Sequence, residues 1–213
     1  MALAACAGHD VQKKSLIAIE RNRGDVALAR WLWRRGQAAI DPRRLVFVDE
    51  TGTATNMAPR YGWGPRGERV IGRAPHGHWK TTTFVGGLTR SGFIAPFVID
   101  CPMNRDIFET WIERCLLPEL PDRAVVVMDN LSAHKGPRVA QLIEQAGGEV
   151  LYLPPYSPDL NPIEQAFAKL KHLLRLARER TTETLWDRIG TLLERFDPNE
   201  CENYIANAGY RSI

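Results

Sequence analysis

Three acidic residues of this sequence stand where carboxylates can be held firmly. Asp49 follows an apolar run at residues 45–48, and Asp129 follows a second apolar run at residues 124–128. Continuous apolar runs are typical of strands covered on both faces, and open α/β sheets bind ligands at the carboxyl ends of such strands. Glu164 comes after a proline-rich loop and can reach the same edge. The three carboxylates are therefore candidates for one site.

Carboxylates that converge without a basic partner repel one another, and such clusters normally persist only around divalent cations. An all-oxygen set of ligands suits Mg²⁺ or Mn²⁺. Two such ions roughly 4 Å apart activate a water or hydroxyl and stabilise the leaving oxygen of a phosphodiester. The residue types thus indicate nuclease or strand-transfer chemistry. Taken singly, each acid has a plainer interpretation: Asp49 and Asp129 as turn residues, and Glu164 as a capping partner.

The segment before Glu164, LPPYSPDLNP, predicts an abrupt helix start. Asn161 is a favoured N-cap, and Pro162 suits the first helical position because its missing N–H would be unpaired there anyway. Glu164 then falls in the first turn, at the third helical position. Apolar residues recur behind it at helical spacing and are expected to face the core: Ile163, Phe167, Leu170 and Leu174.

The order of apolar patterns along the chain predicts a mixed α/β sheet with helices on both faces. Two β-rich runs, 81–88 and 93–99, surround a short turn and predict a hairpin. Strand–helix–strand steps around Asp129 imply parallel neighbours with right-handed crossovers. Helices are predicted at 17–38 (two, either side of Gly24), 104–117, 138–146, 183–196 and 199–208, a strand at 150–153, and an extended excursion with one hairpin at 51–75.

The composition fits one large domain, or a domain with an appendage. The chain has 213 residues, 44% hydrophobic and 25% charged, with a formal charge of +3. Residues 1–44 carry nine Lys and Arg against four acids, which fits contact with a polyanion or a solvated helix face. We expect residues 1–40 to form a basic helical arm or linker, and residues 41–213 to form the main domain.

Cysteine usage and hydropathy suggest an intracellular protein. The four cysteines are far apart and form no CxxC pair, which indicates a reducing compartment and neither a disulfide framework nor a zinc site. No apolar run approaches the ~20 residues that span a bilayer, so no membrane partner is expected. We expect a cytoplasmic location, associated with the nucleoid.

Three polar residues flank the acids in sequence. Glu50 adjoins Asp49 but should point to the opposite face of an extended strand, which makes it the weaker ligand candidate. Asn130 and His134 follow the second acid and either orient ligands or a phosphate, or serve a structural role.

Basic residues near the acids are candidates for contacts with nucleic acid. Lys171 and Arg175 lie largely on the non-core faces of the Glu164 helix, where they would attract a phosphate backbone or form an ordinary solvated face. Lys135 follows the second acid. The excursion mixes basic and aromatic residues that would either stack on and grip DNA ends or pack a hairpin; its members are Arg60, Tyr61, Trp63, Arg66, Arg69 and Lys80.

Several segments closely resemble the bacterial insertion-sequence branch of the mariner-like DDE transposases. They are VFVDETGTATNM, RGER, HGHWKTTTFVGGL, VVVMDNLSAHKG and LPPYSPDLNPIEQAFAKLK. The resemblance runs from about Lys13 to Tyr210, and its most specific piece is YSPDLNPIE following a DN-x-x-x-H block. The 34 residues between Asp129 and Glu164 match the spacing of that branch.

The resemblance implies a fold, a site and an activity. The fold would be ribonuclease H-like, with a five-stranded mixed sheet flanked by helices, and Asp49, Asp129 and Glu164 would be the catalytic, metal-binding triad. Two Mg²⁺ or Mn²⁺ ions would serve hydrolysis at transposon ends and strand transfer into target DNA, with double-stranded DNA as partner and a homodimer as a possible assembly. The alternatives are a non-catalytic DNA-binding or regulatory remnant and a general ribonuclease H-like nuclease.

One departure from the family concerns the N-terminus. These transposases usually carry a helix-turn-helix region that recognises the terminal repeats, and only 48 residues precede Asp49. We therefore expect this chain to be the catalytic half, either from a truncated gene or as the second product of a split reading frame. A separately encoded helix-turn-helix protein is then an expected partner.

Overall fold

The computed structural model describes residues 17–131 and 134–211. The strands are β1 (Leu45–Ala54), β2 (Thr81–Thr89), β3 (Gly92–Ile99), β4 (Val125–Met128) and β5 (Glu149–Tyr152). The α-helices are α1 (Gly24–Gln37), α2 (Arg105–Trp111), α3 (Pro137–Gln145), α4 (Ile163–Ala177), α5 (Thr182–Leu193) and α6 (Pro198–Asn207). The predicted helix at 104–117 begins as α2 and continues as a π-helical segment, Ile112–Leu116.

The five strands form one mixed sheet in the order β3-β2-β1-β4-β5. β1 pairs with β2 and β2 with β3 in antiparallel fashion, whereas β1 pairs with β4 and β4 with β5 in parallel. The predicted five-stranded mixed sheet, the hairpin and the parallel neighbours around residue 129 are thereby confirmed.

β1 is longer than its apolar run suggests. Its parallel pairing with β4 ends at Val48 and Met128, but its antiparallel pairing with β2 continues as far as Ala54 and Thr81. Asp49 therefore lies inside a strand, and its backbone is held by β2 beyond the point where β4 stops.

Alternation along β1 divides the core into two layers. Leu45 and Phe47 pack in a cluster with buried residues of α4, α5 and α6. Val46 and Val48 pack in a second cluster with buried residues of α2 and α3. Because successive side chains of a strand point to opposite faces, the residue after Val48 returns to the α4 face.

The excursion between β1 and β2 closes at a narrow neck. The Thr55 N–H donates to the Lys80 carbonyl at 3.1 Å, and the Lys80 N–H donates to Thr55 Oγ1 at 3.1 Å. Arg180, in the connection between α4 and α5, donates to the carbonyls of Thr55 and Met57. No strand forms between Ala54 and Thr81, so the predicted hairpin there is wrong; Tyr61 and Trp63 are instead almost fully exposed and have no partner strand to cover them.

The helix α1 packs on the body through polar contacts near its C-terminal end. Trp33 donates from Nε1 to the Tyr210 hydroxyl at 2.9 Å, and Gln37 donates from Nε2 to the Ala208 carbonyl at 2.9 Å. Within the described part of the chain, no helix combines the length and the apolar character that crossing a bilayer requires.

We expect Phe167→Ala to lower the free energy of unfolding by about 3–5 kcal/mol, because a large buried ring would leave a cavity. Phe167 is 2% exposed and its ring packs edge-on against Phe84, with the two centroids 5.9 Å apart. Urea denaturation followed by circular dichroism measures the change. Leu176→Ala, on the same helix but 55% exposed, should stay within about 0.5 kcal/mol of the unsubstituted protein; equal losses in both variants would contradict the packing described.

Candidate active site

A cavity of about 420 Å³ opens where β4 ends beside β1. Asp49 from β1, Asp129 immediately after β4 and Glu164 from the first turn of α4 all line it. The loop at residues 153–158 forms much of the remaining wall. The structure thus brings together the three acids that the sequence singled out from three separate segments.

Asp49 is the most enclosed of the three acids. It is 8% exposed; its Oδ1 accepts a hydrogen bond from the Glu50 backbone N–H at 2.8 Å, and its Oδ2 accepts one from Asn161 Nδ2 at 2.9 Å. Burial, followed by the negative charges of Asp129 and Glu164, raises the pKa of Asp49 to about 8. The protein therefore holds a proton on Asp49 at neutral pH unless a positive charge arrives nearby.

Asn161 supplies one of these bonds and is not the helix cap that the sequence predicted. The helix α4 begins at Ile163 with Pro162 at the N-cap position, and no side chain caps it. The Asn161 side chain is 3% exposed and turned toward Asp49, while its Oδ1 has no partner among the described residues. The prediction failed because the long-range bond from Nδ2 to Asp49 sets the orientation of the side chain, and in that orientation Oδ1 accepts no N–H of the first helical turn.

Glu164 lies in the first turn of α4, as predicted, but at its second residue. Its backbone N–H donates to the Asn161 carbonyl at 3.3 Å. Desolvation of its carboxyl raises the pKa of Glu164; Lys171 opposes this rise and Asp129 adds to it. Of the three acids, Glu164 has the most exposed position, at the rim of the cavity.

A buried histidine links Asp129 to the other face of the sheet. His134 is fully buried; its Nδ1 lies 2.7 Å from Asp129 Oδ1, and its Nε2 lies 2.8 Å from Glu50 Oε2. Burial lowers the pKa of His134, but the hydrogen bonds to Asp129 and Glu50 outweigh it and raise the pKa to about 9. A cationic imidazole donating from both nitrogens fixes the orientation of Asp129. Glu50 points away from Asp49, as alternation predicts, and reaches the site only through His134.

The residues of the cavity fit a hard divalent cation. The lining offers carboxylate oxygens and the Asn130 amide oxygen, which is buried and unpartnered within the described residues. Oxygen donors of this kind are the ligands that Mg²⁺ and Mn²⁺ prefer. Among residues 17–131 and 134–211, no three acidic, histidine or cysteine side chains are already close enough to enclose a metal ion. A bound cation would therefore attract the carboxylates toward one another, because its positive charge would offset their mutual repulsion.

The structure gathers only part of the predicted basic set near the site. Arg60 and Arg175 line one groove between the excursion and α4. Desolvation lowers the pKa of the nearby Lys171; Glu164 opposes this shift, and the charges of Arg175 and Arg60 add to it. The other three candidates lie elsewhere: Arg66 is exposed in the excursion, Lys80 closes its neck, and Lys135 lines a groove beside α1.

Sequence reasoning missed the residues that support the loop at 153–162. Arg30 of α1 is buried and bonds to Ser157 and Asp159 of that loop. The only signal in the sequence was a basic N-terminal segment beside a conspicuous loop motif. Periodicity cannot tell which of several arginines in such a segment is turned inward.

The chain matches known proteins in sequence family and in fold. A family model described as DDE superfamily endonuclease matches residues 44–185. No curated protein is significantly similar in sequence. The fold is similar to that of the Mos1 mariner transposase catalytic domain, with 18% identity, a TM-score of 0.61, and coverage of 98% of this chain and 100% of that one. This likeness confirms the predicted ribonuclease H-like fold.

Longer Mos1 structures also match. A pre-cleavage Mos1 transpososome gives a TM-score of 0.73 at 20% identity, covering 97% of this chain and 69% of that chain. The Mos1 paired-end complex with Mg gives a TM-score of 0.71 at 19% identity, covering 97% and 68%.

We expect Asp49→Asn to stabilise the metal-free protein at pH 8. A folded-state pKa of about 8, above the usual 3.8, means that stability is lost as the pH rises from about 4 through about 8, because the unfolded chain releases a proton that the folded chain retains. One pKa unit corresponds to about 1.4 kcal/mol, so the variant should gain more than about 1 kcal/mol, or about 2–4 °C in Tm.

Thermal denaturation in EDTA at pH 4.5 and pH 8 measures this gain, which should be much smaller at the lower pH. Asp122→Asn, at the exposed opposite end of β4, is the matched control and should show no gain at either pH. Equal Tm values for Asp49→Asn and the unsubstituted protein at pH 8 would contradict the inferred cost of a buried, ionised Asp49 beside Asp129 and Glu164.

Proposed function

Because this chain belongs to the DDE superfamily of endonucleases, we propose that it is the catalytic domain of a DNA transposase, formed by residues 41–213 with residues 1–40 as its arm. It would hydrolyse a phosphodiester at a transposon end and join the freed end to target DNA. The observation that carries the proposal is the cavity shared by Asp49, Asp129 and Glu164.

We assign the binding of two divalent ions to these three carboxylates. Structures of Mos1 transposase complexes with Mg and with Mn support the choice of metal. When bound, such ions supply a nucleophile at neutral pH and stabilise the leaving oxygen of an in-line displacement at phosphorus. The raised pKa of Asp49 makes binding proton-linked, because the carboxyl must lose its proton to become a ligand.

The surrounding residues orient the carboxylates. Asn161 and the Glu50 backbone N–H each donate to a different oxygen of Asp49, which fixes the plane of that carboxylate. His134 bonds to Oδ1 of Asp129 and is itself anchored by the Glu50 side chain. Ligands that are held by hydrogen bonds lose less conformational freedom when a cation binds.

Two displacements at phosphorus account for the proposed activity. In the first, water attacks the phosphodiester at the transposon end, which yields a 3′-hydroxyl and a 5′-phosphate. In the second, that 3′-hydroxyl attacks a target phosphodiester, so that one P–O bond forms and one breaks, and a target 3′-hydroxyl leaves. Neither step needs a covalent bond to the protein, which is consistent with a site built from carboxylates.

A basic surface beside the cavity suits the DNA backbone. Arg60, Lys171 and Arg175 would neutralise phosphates without reading base sequence. Mos1 transposase was solved with a transposon end and in a strand transfer complex, which supports duplex DNA as the partner.

We also propose a homodimer and a separate helix-turn-helix protein as partners. Bringing two transposon ends together, as in the Mos1 paired-end complex, calls for two catalytic sites. In the described residues ahead of β1, α1 is the only α-helix, and its Arg30, Trp33 and Gln37 bond to the body. α1 is therefore poorly suited to enter a DNA groove, and we assign recognition of the transposon end to the helix-turn-helix partner.

We expect Asp129→Asn to abolish Mg²⁺-dependent cleavage of a duplex that carries the transposon end, while the fold is retained. The substitution removes one charged ligand but keeps the size of the side chain. A nicking assay on labelled DNA measures the loss, and circular dichroism confirms the fold. Asp122→Asn, at the other end of the same strand, should cleave normally.

The same assay separates the alternatives. Undiminished cleavage by Asp129→Asn would exclude the assigned site. Binding without cleavage by the unsubstituted protein would favour a regulatory remnant. Cleavage with no preference for element ends and no joining of strands would favour a general nuclease.

We expect Arg175→Ala to weaken DNA binding about equally for all sequences and to reduce the slope of log K against log [salt] by about 1, as for loss of one phosphate contact. Fluorescence anisotropy at several KCl concentrations measures the slope. Arg114→Ala is the control, because Arg114 is exposed on the opposite layer of the fold, in the π-helical segment after α2. An equal change in slope for both variants would argue against the assigned surface.

A further inference from the structure

Arg30 is the one buried arginine among the described residues, at 5% exposure. Its guanidinium donates to Ser157 Oγ at 2.7 Å and to both oxygens of Asp159, at 2.9 and 2.7 Å. A bidentate arginine–carboxylate pair is among the stronger and more directional hydrogen-bond arrangements in proteins. Arg30 thus ties α1 to the start of the 3-10 turn Pro158–Leu160.

A second connection joins α1 to the end of the same turn. Trp33 donates to the Tyr210 hydroxyl at 2.9 Å, and that hydroxyl donates to the Leu160 carbonyl at 3.0 Å. Tyr210 is 1% exposed, so this connection is also shielded from water. The turn is therefore held by α1 on both sides.

The turn leads directly into the residues that set the geometry of the site. Asn161 follows it and donates to Asp49 Oδ2, while the Asn161 carbonyl accepts the Glu164 backbone N–H. A shift of the turn would move the support of Asp49 and the start of α4 together.

We propose that Arg30 is a positioning residue of the active site, acting through Ser157 and Asp159 on Asn161 and hence on Asp49 and Glu164. This inference rests on the proposed function, because it assigns Arg30 a purpose in metal binding. It makes α1 part of the catalytic apparatus, and any partner that displaces α1 would loosen the metal ligands.

Loss of Arg30 should leave a folded protein. Asp159 Oδ2 also forms ion pairs with Arg21 at 3.0 Å and with Arg34 at 3.4 Å. The negative charge of Asp159 would therefore stay compensated in an Arg30→Met variant, whereas the contact with Ser157 and the bidentate pair with Asp159 would be lost.

The test compares Arg30→Met with Arg34→Met. Arg34 lies on the same helix and contacts the same carboxylate, but it is largely exposed and its distance is longer. Isothermal titration with Mg²⁺ measures metal affinity, and amide hydrogen exchange measures the order of Leu160, Asn161 and Glu164, whose N–H groups bond within this segment.

We expect Arg30→Met to weaken Mg²⁺ binding by about 10-fold, the lower end of the loss seen when groups that orient metal ligands are removed. Exchange at the three amides should accelerate in parallel. Arg34→Met should change both quantities less than about twofold, and Arg30→Lys, which keeps the charge, should fall between them.

The other outcomes either contradict the inference or test it separately from the proposed function. If Arg30→Met lowers Tm but leaves Mg²⁺ affinity and exchange equal to those of Arg34→Met, Arg30 is merely structural and the inference fails. If Arg30→Met does not fold, Asp159→Asn probes the same contact from the other side, with the same expectations. If the unsubstituted protein binds no Mg²⁺, the proposed function fails, and hydrogen exchange alone decides whether Arg30 orders the turn.

Discussion

The burial of a carboxylate among other carboxylates is the constraint on which the rest of this structure depends. Asp49 is nearly enclosed, and two other acids, Asp129 and Glu164, line the same cavity. Burying a charge without a partner is strongly unfavourable, so the apo protein retains a proton there and each oxygen of Asp49 accepts a hydrogen bond. This arrangement destabilises the fold but favours the binding of a cation. Functional sites commonly lower the stability of the fold that carries them.

Residues on the two faces of the sheet orient different carboxylates of the site. Asp49 faces the α4 layer with Asn161, whereas Glu50 faces the α2–α3 layer, where the His134 ring packs 4.3 Å from that of Phe108. Because β4 stops at Met128 while β1 continues, the end of the sheet is open for His134 to join the two faces. Asp129 is thereby oriented from the layer opposite to the one that carries Glu164.

Much of the fold was predictable because its signals are local. Apolar runs identified β1 and β4, the short turn identified the β2–β3 hairpin, and helical spacing identified the core face of α4. The errors lie where local and distant partners compete. Asn161 has the right chemistry for a cap, yet its amide bonds to Asp49. The excursion has turn residues enough for a hairpin, yet the hydrogen bonds that join its backbone to the rest of the fold lie near its ends, between Thr55 and Lys80 and from Arg180 to Met57.

The sequence by itself determined the identities and the order of the three acids, the apolar runs and the loop that precede them, and the mixed α/β architecture that could bring them together. Only the tertiary structure decided how they are held: which arginine of a basic segment is buried, which amide supports Asp49, and which imidazole orients Asp129. The reason is physical, since hydrophobic periodicity is encoded within one element, whereas a hydrogen bond between residues more than 100 positions apart, such as Asn161 to Asp49 or Arg30 to Asp159, exists only after the chain has folded.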